Sequence, residues 1–368
     1  MRKTQVALAA LALMASTAAL AEVTIYGTLD AAITHTNNSK GTAFDGTGSW
    51  TAPSHLGFKG SEDLGGGLKA NFQLETGVSL NNGAATSGGF GGYRGGTLFT
   101  RISTVGLSGD FGSLTFGQQL SPFIVTNAVG TAGNGAFFVN RMLMVGFGGA
   151  AVDVSGSATS FPYDGFFIPN AINYTTPSIA GWTINAMTTT KGGALDGAQS
   201  AQVATDQYSA ITVGGAVGPI ALNAGYQTRK NVHSGYSISA SMPLTSELTI
   251  YGNYLSNDET KSAGSGISTG KKIGSTSVSL GYKVSEALTT NLQYARNDDS
   301  VEQTLTSVGA QYALSKRTNV YASYGKGTGG VNAAFADRAN NRYYTAGGGL
   351  GIGTKDSTNV AVGIAHSF

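Results

Sequence analysis

Apolar and polar residues alternate with a period of two through most of this chain, and this pattern constrains the fold more than any other feature. In residues 68–75, one face reads Leu, Ala, Phe, Leu and the other reads Lys, Asn, Gln, Glu. The same division recurs in residues 236–242, 277–283 and 288–294. Because residues two apart in a β-strand share a face, the pattern predicts many strands, each with one apolar and one polar face.

The connections between these segments alternate in length. Short turns at residues 243–247 and 284–287 alternate with longer polar stretches such as residues 257–274. Short turns at one end and long loops at the other predict an up-and-down meander of antiparallel strands.

The environment of the apolar face decides between a soluble sandwich and a membrane barrel. Only 11% of the residues are charged, the apolar positions are mixed with Ala and Gly, and the polar faces carry mainly Asn, Gln, Ser and Thr. Tyrosines stand near strand ends, as in the interfacial aromatic girdle of a membrane barrel, at Tyr174, Tyr226, Tyr254, Tyr282, Tyr294, Tyr312 and Tyr324. A bilayer requires that strands close into a barrel, and beyond the first 21 of the 368 residues there is room for about 16 strands at ~20 residues each. We therefore expect an all-β, 16-stranded transmembrane barrel with an aqueous lumen over residues 22–368.

The first 21 residues have the character of an export signal. Arg2 and Lys3 precede an apolar run at residues 6–15 that is too short to span a bilayer, and an Ala-Leu-Ala cleavage pattern ends at Ala21. We expect cleavage before Glu22. Removal of the two basic residues turns the formal net charge of +2 into a balanced mature chain with 20 basic and 20 acidic residues.

Several function classes find no support in the sequence. The chain has no Cys, and its four His are distant from one another in the sequence, so we expect no metal site and no cofactor. No hydrolase elbow or zinc-protease motif is present, so we expect a protein that is not an enzyme. A nearly neutral charge gives no footprint for nucleic acid.

The last strand carries a possible assembly signal. Val360, Val362, Ile364 and the terminal Phe368 lie on one face of the predicted strand. A final strand that ends in an aromatic residue resembles the signal by which the barrel-assembly machinery recognises outer-membrane barrels for insertion.

Runs from the first mature strand to the last residue resemble the general porins of Gram-negative bacteria, particularly the β-proteobacterial branch. They are TIYGTLDA at 24–31, GFKGSEDLGGGLKA at 57–70, VGLSGDFGSLTFG at 105–117, YALSKRTNVY at 312–321 and VGIAHSF at 362–368. The resemblance implies a homotrimeric 16-stranded barrel in the outer membrane, in contact with lipid and lipopolysaccharide. It also implies a second loop, at residues 81–96, that latches onto a neighbouring subunit, and a third loop folded into the lumen as a constriction.

The third loop can also be located from the residues. About 50 residues without sustained alternation separate a strand ending near Gln119 from one beginning near Asn170. A segment that contains Phe123, Phe137 and Phe147 would not stay extended in water, so we expect a loop at about 120–168 to fold inward.

The porin resemblance also implies which residues line the constriction. His55 stands where the family commonly has Arg, Lys59 is two lumen positions further on, and Arg101 completes the basic wall. Strand parity favours the lumen for His55 and Lys59 and leaves Arg101 ambiguous. The position of a third family Arg holds Phe167, and Arg141 in the loop is a possible substitute.

The acidic half of the usual constriction is missing from the third loop. Residues 120–152 contain no Asp or Glu, and the family's acidic segment reads Ser121-Pro122-Phe123 here. Glu75 is the nearest acidic candidate and is expected to balance Lys59 or Arg101. This composition predicts passive diffusion of small hydrophilic solutes with a weak to moderate preference for anions. Because an exposed imidazole protonates near pH about 6.5, His55 predicts a pH-dependent selectivity.

Other functions stay open at this stage. The apolar third loop favours, as an alternative, a channel that prefers aromatic or amphipathic solutes. An outer-membrane adhesin or a barrel enzyme would need its function in the external loops or at the rim, and no residue pattern singles out either one.

Overall fold

The fold of the chain is a ring of antiparallel strands. The computed structural model describes residues 22–36, 41–46, 53–86, 98–132, 167–190, 207–229, 233–258, 272–297, 303–328 and 357–368. The strands are β1 (Glu22–Thr36), β2 (Gly41–Asp45), β3 (His55–Gly65), β4 (Leu68–Val78), β5 (Ala85–Thr86), β6 (Ile102–Gly109), β7 (Gly112–Leu120), β8 (Phe167–Thr175), β9 (Thr183–Thr189), β10 (Tyr208–Val217), β11 (Ile220–Arg229), β12 (His233–Pro243), β13 (Leu248–Asp258), β14 (Lys272–Lys283), β15 (Leu288–Asn297), β16 (Gln303–Ala313), β17 (Thr318–Thr328) and β18 (Ser357–Ser367). The described helix α1 (Pro122–Val129) follows β7, and among the described residues no helix has the length and apolar character needed to cross a membrane.

The 18 strand segments form a closed barrel of 16 strands. Strand β1 pairs with β2 near one end and with β3 near the other, so β2 and β3 are two parts of one broken strand. Strands β5 and β6 share the neighbour β4 in the same way. All pairings are antiparallel between sequence neighbours, and β18 returns to pair with β1. The predicted up-and-down meander and its strand number are confirmed.

The side chains place apolar residues outside and polar residues inside. On β14, the exposed Val278 points outward between Ser277 and Ser279, which are each 2% exposed. The same alternation runs along β12 and β17, and every tyrosine of the predicted girdle is exposed on the outer face. In a soluble sandwich the apolar side chains would lie inside and the polar ones outside. The observed arrangement suits a barrel whose outer surface contacts lipid and whose lumen holds water.

Strand β8 begins three residues earlier than the alternation predicts. Phe167 and Ile168 pair with Leu120 and Gln119, and the register then shifts. The shift lies at Asn170, which has a positive φ of 54°. Asparagine tolerates this conformation, so a bulge here lets the strand continue past a point where the sequence pattern is broken.

Three successive hairpins share one turn structure at the end of the barrel that carries short connections. Thr245, Ser285 and Ser315 each accept hydrogen bonds through the side-chain oxygen from backbone N–H groups two and three residues later. In the first of these turns, hydrogen bonds from the hydroxyls of Ser246 and Thr245 lower the pKa of the Glu247 carboxyl. Hydroxyl residues at these positions let the turns close without glycine.

The C-terminal residue closes the seam of the barrel. Phe368 and Gly27 exchange backbone hydrogen bonds, with N–O distances of 3.0 and 3.2 Å. A β-carbon at Gly27 would overlap the Phe368 ring, so the glycine gives the terminal ring space to lie across β1. Phe368 therefore links the last strand to the first, in addition to its expected role in assembly.

Replacing Phe368 by Ala should weaken the seam. Phe368 is 41% exposed, so we expect a loss of stability of about 2 kcal/mol, roughly half the cost of removing a buried Phe. The temperature at which the folded band of an unheated gel sample disappears would measure it. The control is Phe111→Ala, because Phe111 is 44% exposed in the turn between β6 and β7, away from the seam. Equal losses for the two variants would show that the seam contact contributes nothing.

Candidate pore constriction

The third long loop enters the lumen through helix α1. Ser121 has an extended backbone at the helix N-cap and Pro122 occupies the first turn, a combination that favours a helix start. The Ser121 hydroxyl makes no cap hydrogen bond and lies instead 2.7 Å from the Tyr208 hydroxyl of β10. From its first residue, the loop is therefore tied to β10, three strands along the ring from β7.

Phe123 anchors the helix to the inner wall. Its side chain is fully buried in a cluster with Ile168, Met187, Tyr208 and Leu255, which come from β8, β9, β10 and β13. Burying a Phe side chain contributes about 1.5–3 kcal/mol, so this residue alone can hold a short helix against the wall.

Hydroxyl and amide groups continue the attachment beyond Phe123. The Thr126 hydroxyl lies 2.7 Å from that of Ser237, and Ser239 donates to the Thr126 carbonyl. Asn253 donates to the Gly130 carbonyl and to the Thr131 hydroxyl. The Ala132 N–H donates to Ser279 at 3.1 Å. Residues 121–132 thus run along the inner face from β10 to β14, which confirms the predicted inward folding for this part of the loop.

The remainder of the loop lies outside the described residues. This part, residues 133–166, includes Arg141 and most of the apolar residues that led us to expect a buried segment, such as Phe137 and Phe147. Helix α1 itself was not predicted from the sequence. The Ser-Pro pair at 121–122 was the available signal, and it was interpreted only as a departure from an acidic family segment.

A group of charged residues lies on the wall formed by β1, β3, β4 and the start of β6. Arg101 forms an ion pair with Glu75 through Nε, and both side chains are nearly buried, at 12% and 5% exposed. Tyr26 donates to the other Glu75 oxygen at 2.9 Å. Glu75 therefore balances the charge of Arg101. Strand parity did not decide the direction of the Arg101 side chain, and the structure shows that it turns inward at the bend before β6.

His55 and Lys59 also point into the lumen, as parity predicts. The Nδ1 atom of His55 is 2.7 Å from the Pro53 carbonyl oxygen, so Nδ1 carries the hydrogen, and Nε2 lies 3.9 Å from Glu75. Lys59 is exposed, and its Nζ stands 5.1 Å from the centre of the Tyr26 ring. The pH dependence expected from His55 stays a prediction.

Phe167, at the position of a basic residue in the resembled family, supports Arg101. The Arg101 guanidinium lies 4.7 Å from the centre of the Phe167 ring, which is 6% exposed. A guanidinium over an aromatic face is a favourable contact. In place of a basic side chain, position 167 therefore carries an aromatic ring that helps to position the Arg101 guanidinium.

The inner face of β12–β18, called the hydroxyl wall below, carries little charge. Among the described residues of β12–β18, the inward-facing positions carry mainly Ser, Asn, Gln, Ala and Gly, with Lys283 at the short-turn end. The described part of the third loop runs from β10 to β14, across the ring from the charged residues of β1–β6, and overlaps part of this hydroxyl wall. On the same side of the ring, the buried Arg229 of β11 also faces inward. In the described part of the chain, no group of three or more His, Asp or Glu could hold a metal ion.

A closed barrel with an apolar exterior, a polar lumen and a loop folded against its inner wall defines a diffusion channel of the bacterial outer membrane. Comparison with known proteins agrees. The profile of the Gram-negative porin family matches residues 7–330. Outer membrane porin protein 32 of Delftia acidovorans is 30% identical, with 100% of both chains covered. The chain belongs to the Gram-negative porin family, and it is located in the outer membrane.

Other relatives are similar over shorter spans or in fold alone. Major outer membrane protein P.IB of Neisseria gonorrhoeae is 36% identical over 39% of this chain and 40% of its own. The anion-selective porin from Comamonas acidovorans superimposes with a TM-score of 0.63 at 22% identity, over 95% of this chain and 100% of its own. OmpF of Salmonella typhi superimposes with a TM-score of 0.60 at 14% identity, over 95% of this chain and 98% of its own.

Replacing Phe123 by Ala should loosen the third loop. The cavity left in the wall would cost about 3–5 kcal/mol, which is enough to detach a short helix. We expect larger fluctuations of the open-channel current and more frequent transient closures in single-channel recordings. Val125→Ala is the matched control, because Val125 is on the same helix and is 50% exposed. Wild-type current noise in the Phe123 variant would contradict the anchoring role.

Proposed function

We propose that this porin is a passive diffusion channel with a weak to moderate preference for anions. The observation that carries the proposal is the unequal exposure of charges on the lumen wall. Asp30 and Glu75 are 0% and 4% exposed, whereas Lys59 is exposed to the lumen. Because water screens a fixed charge less in a narrow passage, the accessible Lys59 cation attracts anions, while these two carboxylates lie behind other side chains. Nearer the short-turn end, the exposed Asp63 and Lys69 line the same cavity and pair in register, so their charges offset each other.

The charges of this wall also limit the strength of the preference. Arg101 is paired with Glu75, so its charge is largely balanced. His55 contributes a charge only when protonated. A weak preference therefore fits better than a strong one. The anion-selective porin from Comamonas acidovorans, which has the same fold, has a preference in the same direction.

A channel that prefers aromatic solutes finds less support. Phe123 is buried in the wall and does not line the path. The other apolar residues that favoured this alternative lie outside the described residues, so general diffusion is the function that we propose. Equal, size-dependent liposome-swelling rates for sugars, phosphate and aromatic acids are expected.

The anion preference depends on Lys59. Replacing Lys59 by Gln should lower the ratio of chloride to potassium permeability by about twofold, since the passage loses an accessible positive charge. Reversal potentials across a planar bilayer under a KCl gradient measure this ratio. Lys326→Gln is the control, because Lys326 is exposed on the outer face of β17 and should leave the ratio unchanged. Cation selectivity in the wild-type channel would contradict the proposed anion preference.

We also propose that the channel is a homotrimer whose contact surface includes the outer face of β1–β7. Among the described outward-facing aromatic residues, those on β2–β7 and their turns are Phe, including Phe44, Phe58 and Phe116. The outward-facing tyrosines of the described segments all lie on β8–β17. Tyrosine suits a boundary between lipid and water, whereas Phe suits a surface that another subunit covers.

Lipid contact around the barrel tests this arrangement. Since the chain has no Cys, single cysteines can carry a fluorescent label at Val105 on β6 and at Val278 on β14, which are 60% and 47% exposed in one subunit. Lipids that bear a nitroxide should quench the label at 278 strongly and the label at 105 weakly. Equal quenching at both sites would exclude β6 from a subunit interface.

Export and assembly follow from the sequence pattern alone. We propose that residues 1–21 are removed on secretion and that the barrel-assembly machinery recognises the strand ending in Phe368. Residues 87–96 of the expected subunit latch lie outside the described residues.

A further inference from the structure

Two tyrosines on the lumen wall make the same three-strand arrangement. Each phenol ring lies over a glycine on the next strand, and its hydroxyl donates to a carboxylate on the strand beyond that glycine. Tyr26 of β1 crosses Gly57 of β3 to reach Glu75 of β4. The second arrangement, which starts from Tyr321, spans the seam of the barrel. Both bridges lie on the inner face, and one of them holds a carboxylate of the candidate constriction.

The first bridge places Tyr26 between Glu75 and the exposed lysine. The Tyr26 hydroxyl donates to Glu75 at 2.9 Å and accepts from Gln73 at 2.7 Å. A β-carbon at Gly57 would overlap the Tyr26 ring, so the ring can lie flat against the wall only because this position is glycine. The Lys59 ammonium stands over the same ring, 5.1 Å from its centre. Tyr26 thus contacts the buried carboxylate through its hydroxyl and the Lys59 cation through its ring.

The second bridge joins the last two strands to the first. Tyr321 of β17 crosses Gly363 of β18 and donates to the Asp30 carboxylate of β1. A β-carbon at Gly363 would overlap Tyr321, as in the first bridge. Asp30 is fully buried, Tyr321 is 3% exposed, and the Ser54 hydroxyl bonds both backbone groups of Asp30.

We infer that Tyr26 and Tyr321 are positioning residues for ion selectivity, because they hold two carboxylates of the lumen wall away from the water-filled path. This inference rests on the proposed anion preference. A buried carboxylate that loses a hydrogen-bond donor is strongly destabilised where it lies. Beside an aqueous lumen it can turn into water and keep its charge. Removal of either hydroxyl therefore makes a negative charge more accessible from the path, although Arg101 still pairs with Glu75 when Tyr26 is changed.

A third tyrosine supplies a matched control. Tyr251 of β13 also faces the lumen and lies against a glycine, Gly281 of β14, at 3.2 Å from the position of a β-carbon there. The side chain beyond that glycine is the amide of Asn291. Tyr251→Phe removes the same hydroxyl from the same kind of ring without releasing a carboxylate.

Reversal potentials in planar bilayers under a KCl gradient at pH 8 test the inference. We expect Tyr26→Phe and Tyr321→Phe each to lower the ratio of chloride to potassium permeability by roughly twofold, and Tyr251→Phe to leave it unchanged. In a Glu75→Gln background Tyr26→Phe should have no effect, and the same holds for Tyr321→Phe in an Asp30→Asn background. A merely structural role for either tyrosine would not depend on the charge of its partner.

Each outcome has a defined meaning. Permeability ratios of the two variants that match Tyr251→Phe, a shift toward anions, or a shift that persists without the carboxylate would overturn the inference. If Tyr26→Phe does not give folded channels, Gly57→Ala displaces the same ring and should shift selectivity in the same direction. The wild-type ratio tests the anion preference separately, because the tyrosine variants can shift the ratio toward cations whatever its starting value.

Discussion

Backbone hydrogen bonding is the constraint on which the rest of this structure depends. Within a bilayer no water is available to pair a free N–H or C=O group, so a sheet can cross the membrane only if it has no edge. The pairing of β18 with β1 removes the last edge of this sheet. Closure has two consequences. A ring of 16 strands is wide enough to hold a water-filled lumen, and its outer face must be apolar while its inner face is polar.

Two different walls of the lumen support the third loop and set the ion selectivity. Small hydroxyl side chains on β12 and β14 accept or donate hydrogen bonds along the third loop, as Ser237 and Ser279 do. These groups are uncharged, so they bind the loop without creating a field in the path. Most of the described inward-facing charged residues stand on the wall near the start of the chain, where Arg101 and Glu75 pair and Lys59 remains accessible.

The sequence was sufficient to predict the barrel, its strand number and the orientation of most side chains, because a period of two is repeated in most strands and a one-residue error would invert each face. Prediction was weaker where the chain leaves a regular strand. Arg101 has the parity of outward-facing Val105, yet the bend before β6 turns it toward Glu75. The start of β8 was missed because a bulge at Asn170 interrupts the alternation.

The candidate site was predicted in part for the same reason. His55 and Lys59 lie within a strand, so parity located them. Arg101 is one of the two partners that the sequence predicts for Glu75. Tyr26 could not be predicted, because its ring reaches Glu75 across the intervening strand β3. Helix α1 was missed because its anchoring residue, Phe123, packs against strands far away in the sequence.

The glycines beneath the two bridging tyrosines have a consequence for how such a channel can change during evolution. Each tyrosine ring lies flat in the space left by a glycine and adds little thickness to the barrel wall. The tyrosines can therefore control the charge of the path without narrowing it. The third loop is held by uncharged side chains of other strands, including β12 and β14. A substitution that alters the charge near β3 or β4 therefore leaves both the bore and the loop in place, and new solute preferences can arise without a new fold.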